Sequence, residues 1–304
     1  MNVFQRNPKR VVLMAVFAAS FASIFVRLAD APPVAVGFYR LTFALPFFAA
    51  IVLIWHRKEL FSVTRRDLAG SGLAGVFLSL HFLSWFIALD YTTVASATVL
   101  CMTHPIVILI ITTLFFKERT NRRALAGIGL AFAGAVIITG GDYALSREAL
   151  IGDLLAFLAA VFMALYLLAG KKYRSGIPAA VYVFLVFASC WLVFLVEMIV
   201  TRTPFIGYSG ESFFWILMLA LVCQIGAHGV FNWCLGYVKA IYLATWEMSE
   251  VLIAALLAAF LFSEIPGIWQ LVGGGVTILG LLYYNRHEED EPDLARRLAG
   301  KKEL

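Results

Sequence analysis

Residues 115–134 read FFKERTNRRALAGIGLAFAG, and residues 261–280 read LFSEIPGIWQLVGGGVTILG. The two stretches lie 146 residues apart. At that offset Glu118 meets Glu264, and Gly127, Gly129 and Gly134 meet Gly273, Gly275 and Gly280. A wider window keeps the match, with Leu89 on Leu235, Tyr91 on Tyr237 and Met102 on Met248. Glycine matches alone are weak evidence. Paired acids and tyrosines at the same offset turn them into an internal repeat.

The surrounding composition says what is repeated. The chain has 304 residues, 62% hydrophobic and 14% charged, with a mean hydropathy of +0.88. Soluble domains are nearer ~45–50% apolar and ~25% charged. Apolar runs of about 18 residues or more recur from end to end, the mark of transmembrane helices. The alternating ten-residue pattern of a transmembrane barrel is not visible. The expected fold is an all-α polytopic membrane protein of ten helices. The spans fall near 10–28, 34–54, 68–89, 93–115, 122–140, 150–169, 178–200, 212–235, 241–262 and 266–284. The first run lacks a small-residue cleavage site and reads as a retained span. Cys101, Cys190, Cys223 and Cys234 sit in apolar runs without a CxxC pair and read as packed thiols.

With the N-terminus in the cytoplasm, 20 of the 24 Lys and Arg residues fall in cytoplasmic connections and ends. Arg147 and Arg202 fall on the opposite side, and Arg27 and Arg40 within spans. That bias sets the orientation with both termini inside. It also accounts for the net charge of +5 without nucleic acid. Each half then holds five spans, an odd number, so the halves are inverted. The expected divisions are 1–145 and 146–286 for the repeats and 287–304 for a charged cytoplasmic tail. Inverted repeats mark secondary transporters, whose substrate site lies near the midplane between the halves.

Ionisable groups inside the bilayer cost about 2.5–3.5 kcal/mol each and are site candidates by default. His81, His104, Gln224, Glu247 and Glu250 all fall near mid-depth. At the 146-residue offset His104 coincides with Glu250, so each half places an ionisable group at the same position. Glu247 and Glu250 are i and i+3 and share a helix face. In low dielectric, desolvation and mutual repulsion oppose ionising both. That suits a proton carrier or a site for a cationic group, with Glu250 preferred. The plain alternative is one hydrogen-bonded acid and one facing water.

Gln224, His228 and Asn232 form a stripe at i, i+4 and i+8, either lining a pathway or bonding between helices. His81 and Trp85 at i, i+4 form a candidate wall for a cation or an aromatic ring, and Trp246 is a further wall candidate. Arg27 and Arg40 sit toward the outer ends of their spans. They are expected to pair with Asp30, Asp90 or Glu197 as gating or structural charges, or to snorkel. With no Arg or Lys at mid-depth, phosphate substrates are disfavoured, and the carboxylates and aromatics favour a zwitterion or a cation. The glycines of the fifth and tenth spans read as helix-packing positions.

The stretches HPIVILIITTLFFKE (104–118) and SEVLIAALLAAFLFSE (249–264), with FYRL (38–41) and WFIALDYTTVASATVL (85–100), carry a resemblance. Over essentially its whole length the chain resembles the drug/metabolite transporter superfamily, in particular its ten-span EamA-type exporters. The resemblance implies alternating-access movement of a small metabolite, usually export across a bacterial inner membrane. One departure is in the ninth span. Members of the family often carry Glu-Pro-Val there, where this chain has Glu250-Val251-Leu252, so that the helix lacks the proline that would kink it. No nucleotide-binding loop, HExxH or nucleophile elbow occurs. Neither a cofactor, a metal nor an enzymatic activity is expected. The competing classes are a membrane-embedded enzyme and a structural membrane protein. Substrate identity, direction, coupling ion and oligomeric state stay open.

Overall fold

The computed structural model describes residues 8–115, 122–173, 177–235, 237–238, 243, 246–247 and 250–287. Glu118, Lys239, Met248, most of the start of the expected ninth span, and the charged tail beyond His287 lie outside the described residues. Among the described residues there is helix and no strand. In chain order the helices are α1 Pro8–Ala19, α2 Ala22–Leu28, α3 Pro33–Trp55, α4 Arg57–Phe61, α5 Arg65–Tyr91, α6 Val94–Cys101, α7 His104–Phe115 and α8 Arg122–Leu145. They continue with α9 Arg147–Tyr173, α10 Ala179–Val200, α11 Gly210–Met218, a π-helical segment Leu219–Gly229, α12 Val230–Cys234, α13 Glu250–Phe262 and α14 Ile268–His287.

Seven helical stretches are long and apolar enough to cross a bilayer: Arg10–Leu28, Pro33–Trp55, Arg65–Tyr91, Val94–Leu114, Arg147–Tyr173, Ala179–Val200 and Gly210–Cys234. Shorter apolar helices run at Leu125–Ile138, Ile253–Phe262 and Ile268–Tyr284. Their outward faces carry bare apolar side chains, such as Leu114 at 68% and Phe260 at 85% exposure. A contiguous surface of that kind is unfavourable in water and natural against lipid. The chain is an all-α polytopic membrane protein.

Local chemistry sets the helix ends. Thr64, Thr93 and Ser209 each accept the backbone N–H three residues on, capping α5, α6 and α11. Pro33 opens α3 where its missing N–H costs nothing. Two of the long spans are broken halfway. Between α1 and α2 the Ser20 hydroxyl donates to the Val16 carbonyl at 2.9 Å, competing with the backbone ladder. Between α6 and α7 the Thr103 hydroxyl donates to Leu100, and Pro105 in the first turn of α7 has no N–H to continue the helix.

α5 lies inside the bundle, packed on α9 and α10, and α3 packs on α10. α8 and α14 pack on one another through glycine. A Cβ at Gly127 would come 2.7 Å from the Gly280 carbonyl oxygen, and one at Gly134 would come 2.4 Å from that of Gly273. Between these points Thr277 donates its hydroxyl to the Ala131 carbonyl at 3.2 Å. The register is antiparallel. Exchanging residue n with n+146 turns the 127/280 contact into the 273/134 contact and sets 131 against 277. Gly129, Gly274 and Gly275 depart from the packing role expected of them, since nothing lies within 4 Å of their Cβ positions. Two residues along a helix turn the side chain by about 200°, so Gly129 faces away from the surface that Gly127 packs.

Candidate functional site

The two helix breaks face a common interior space. A cavity of about 30 Å³ is lined by Ala19 and Ala22 at the α1/α2 break and by Cys101 and Met102 at the α6/α7 break. Arg40 of α3, His81, Phe82 and Trp85 of α5 and Met163 of α9 complete one side, and Cys223, His228, Phe231, Glu247 and Glu250 the other. A space of that size admits a water molecule or two.

Glu250 opens α13 and is 5% exposed, and Glu247 one turn earlier is 1% exposed. The His104 Nε2 lies 2.9 Å from the Glu247 Oε2. The other ring nitrogen, Nδ1, is 3.1 Å from the Cys101 carbonyl, which can only accept, so Nδ1 carries a proton. The His104 ring and the Glu247 carboxyl are thus neighbours in a fully buried contact. Both carboxyl groups line the cavity, Glu247 with the His104 ring beside it and Glu250 without such a neighbour among the ion pairs of the described residues.

His81 and Trp85 come together as their spacing implies. His81 Nδ1 donates to the Ala159 carbonyl at 3.0 Å, and the Trp85 indole N–H, 4% exposed as a residue, has no hydrogen-bond partner among the described residues. The polar stripe on the eighth span is rearranged. The π-helical segment closes i to i+5 hydrogen bonds in place of i to i+4. Cys223 and His228, five apart, therefore share the cavity wall, and Gln224 is buried without lining it. Asn232 donates to the Tyr166 hydroxyl and the His228 carbonyl, a bond between helices. Trp246 is half-buried against the core and is not part of the wall.

Arg40 requires a correction. It was expected near the outer end of its span, paired with an acid. Seven residues into α3, about 10 Å along the axis, its long side chain reaches the cavity and is fully buried. The guanidinium carbon lies 4.0 Å over the Phe82 ring. Its three nitrogens have no hydrogen-bond partner among the described residues. FYRL in the sequence marked the residue, and only the reach of the side chain was missing.

Arg27 has a different partner from those expected. It forms an ion pair with Glu264, and donates to the Leu89 and Thr92 carbonyls at 3.1 Å each. Glu264 also accepts the Val94 N–H at the start of α6, at 3.1 Å. Gln270 of α14 adds bonds to Thr93 and Ser96. Five elements are tied together there, at the end of the bundle away from the basic connections. Asp30 and Asp90 line an open pocket beside Arg27. Glu197 is half-buried near the end of α10, where its carbonyl accepts the Thr201 hydroxyl.

The EamA-like transporter family model matches residues 11–140 and again residues 150–286. An uncharacterized transporter of Archaeoglobus fulgidus is 27% identical over 272 residues, spanning 88% of this chain and 93% of that protein. The Bacillus subtilis uncharacterized transporter YxxF is 26% identical over 172 residues, covering 56% of this chain and 55% of its own length. A solved structure described as "Crystal structure of protein" superposes with a TM-score of 0.69 at 18% identity, over 95% of this chain and 97% of that one, a likeness of fold. With apolar helices across its length and the family matched over both halves, the chain belongs to the EamA-like transporter family and is a multi-pass membrane transporter of a small molecule.

Proposed function

We propose that the protein is a secondary active transporter that moves a small amphipathic metabolite by alternating access. Its ten spans form two inverted five-helix repeats, 1–145 and 146–286, with both termini in the cytoplasm of a bacterial cell and export as the working direction. The observation that carries this reading is the set of buried ionisable side chains, Arg40, His81, His228, Glu247 and Glu250, around one cavity where two spans are broken. Broken helices and buried charge at mid-depth are what a substrate site between repeats requires. The antiparallel register of α8 on α14 supports inversion, because helices that correspond at the 146-residue offset run in opposite directions. A cavity this small accepts a metabolite only when the surrounding helices part, as alternating access demands. Glu250 exchanges a proton or holds a cationic group as the cavity changes sides.

Purified protein in liposomes, preloaded with amino acids, amines or drug-like cations and offered labelled compound outside, tests the reading. Saturable counterflow of at least one compound, absent from protein-free liposomes, is expected. A protein that binds compounds of the panel and exchanges none across the bilayer would contradict it.

A further inference from the structure

The segment Leu219–Gly229 closes i to i+5 hydrogen bonds between two regular helices, α11 before it and α12 after it. Such turns are rare and gather at functional sites. Two of its side chains are held in unusual ways. Cys223 lines the cavity and donates its thiol to the Ala18 carbonyl, 3.3 Å away, beside the α1/α2 break. Gln224 is fully buried, and neither its amide nitrogen nor its amide oxygen has a hydrogen-bond partner among the described residues. A buried side-chain amide is ordinarily bonded, and an exception calls for a reason. The spacing of the residues supplies one. Gln224 and His228 are four apart, the interval that brings two side chains onto one face of a regular helix. Cys223 and His228 are five apart and share the wall because the turn between them is wide.

Resting on the transport reading above, we propose that this segment changes between π-helical and α-helical bonding as the molecule changes sides, and that Gln224 then replaces Cys223 in the cavity wall as a contact for the transported molecule. Going from i+5 to i+4 bonds takes one residue out of a turn. With His228 kept in the wall, the residues before it move round the axis by about one position, roughly 100°. That rotation carries the Cys223 thiol out of the wall and brings the Gln224 amide in. The amide gains cavity water or the transported molecule as its partner, and the bond from Cys223 to Ala18 is given up. The segment has little side chain to obstruct the turn, since four of its eleven residues are Ala or Gly. A Cβ at Gly226 would meet nothing closer than 3.4 Å. A packed helix with two bonding patterns is a two-state element of the kind that conformational transitions use.

The direct test needs no substrate. Three single-cysteine forms of the full-length protein are placed in liposomes and treated with a small methanethiosulfonate reagent. One keeps only Cys223, one carries Gln224→Cys with all four native cysteines replaced by serine, and one keeps only Cys190, which is buried away from the cavity. Cys223 and position 224 are expected to label within about tenfold of one another, and both at least about tenfold faster than Cys190. Labelling at position 224 no faster than at Cys190 would overturn the proposal. The second arm is Gln224→Met, which keeps the length of the side chain and removes the unbonded amide. The variant is expected to melt no lower than wild type, since an apolar group replaces a buried polar one without partners. Counterflow of the amino acids, amines and drug-like cations named above is expected to fall about tenfold or more. A lower melting temperature would mean that the amide holds the resting structure together, and undiminished counterflow would mean that it never enters the wall. Either result overturns the assignment. If wild type exchanges no compound of the panel, the transport reading falls, and the labelling alone decides whether the segment changes register.

Discussion

Glu247 and Glu250 look equivalent as a pair one turn apart, and their surroundings separate them. Glu247 lies 2.9 Å from His104 in a fully buried contact. Removing one partner of such a contact strands the other, at a cost of about 3–5 kcal/mol. His104→Gln is therefore expected to lower the melting temperature in detergent well below wild type, and His104→Gln with Glu247→Gln to recover much of the loss. Equal melting of the single and the double variant would show that the two groups are not coupled. The sequence pointed to His104 and Glu250 through their shared place in the repeat; both are buried, Glu250 in the cavity wall and His104 against Glu247 rather than in the wall itself. It could not show that His104 serves Glu247, because that depends on which way two rings of side chains turn. Nor could it place Arg40, whose contribution comes from side-chain length rather than from the depth of its Cα.

Helix positions follow apolar run length, and the long helices lie close to the runs read from the sequence. What hydropathy does not carry is where a helix breaks or changes pitch. Ser20 and the Thr103–His104–Pro105 stretch interrupt two spans at the cavity, and both halves of each remain apolar. The π-helical turn is invisible to a pattern built on 3.6 residues, and it exchanged Gln224 for Cys223 in the wall. Close packing is just as local. A Cβ at Gly134 meets the Gly273 carbonyl at 2.4 Å and Thr277 Oγ1 at 2.3 Å, and backbone cannot give way cheaply. Gly134→Ala is expected to destabilise by about 1–3 kcal/mol, the usual range for overpacking. Gly129→Ala, with open space around it, is expected to be neutral or slightly stabilising. Melting curves of the two variants check this, and equal shifts would mean that α8 and α14 are not in close contact.

Across the whole molecule, the central cavity and the far end of the bundle are linked by what keeps the cavity closed. Arg27, Glu264, Gln270 and the start of α6 hold that end together. Glu264→Gln weakens the ion pair without changing shape. Cys101 and Cys223 line the cavity and are buried, with Cys190 and Cys234 buried away from it as controls. A membrane-impermeant thiol reagent added from that side is expected to label Cys101 and Cys223 several-fold faster in Glu264→Gln than in wild type, with the controls unchanged. Unchanged labelling would mean that the ion pair does not gate access. The central claim is that Glu250 couples the cavity to protons or to a cationic group as the molecule changes sides. It is tested most directly by transport in liposomes across a series of pH gradients, wild type against Glu250→Gln. Gln copies the neutral acid and cannot release a proton. Wild type is expected to accumulate substrate in proportion to the gradient. Glu250→Gln, folded and inserted, is expected to show no gradient-driven accumulation. Accumulation by Glu250→Gln at the wild-type rate, with the same dependence on pH, would contradict the account.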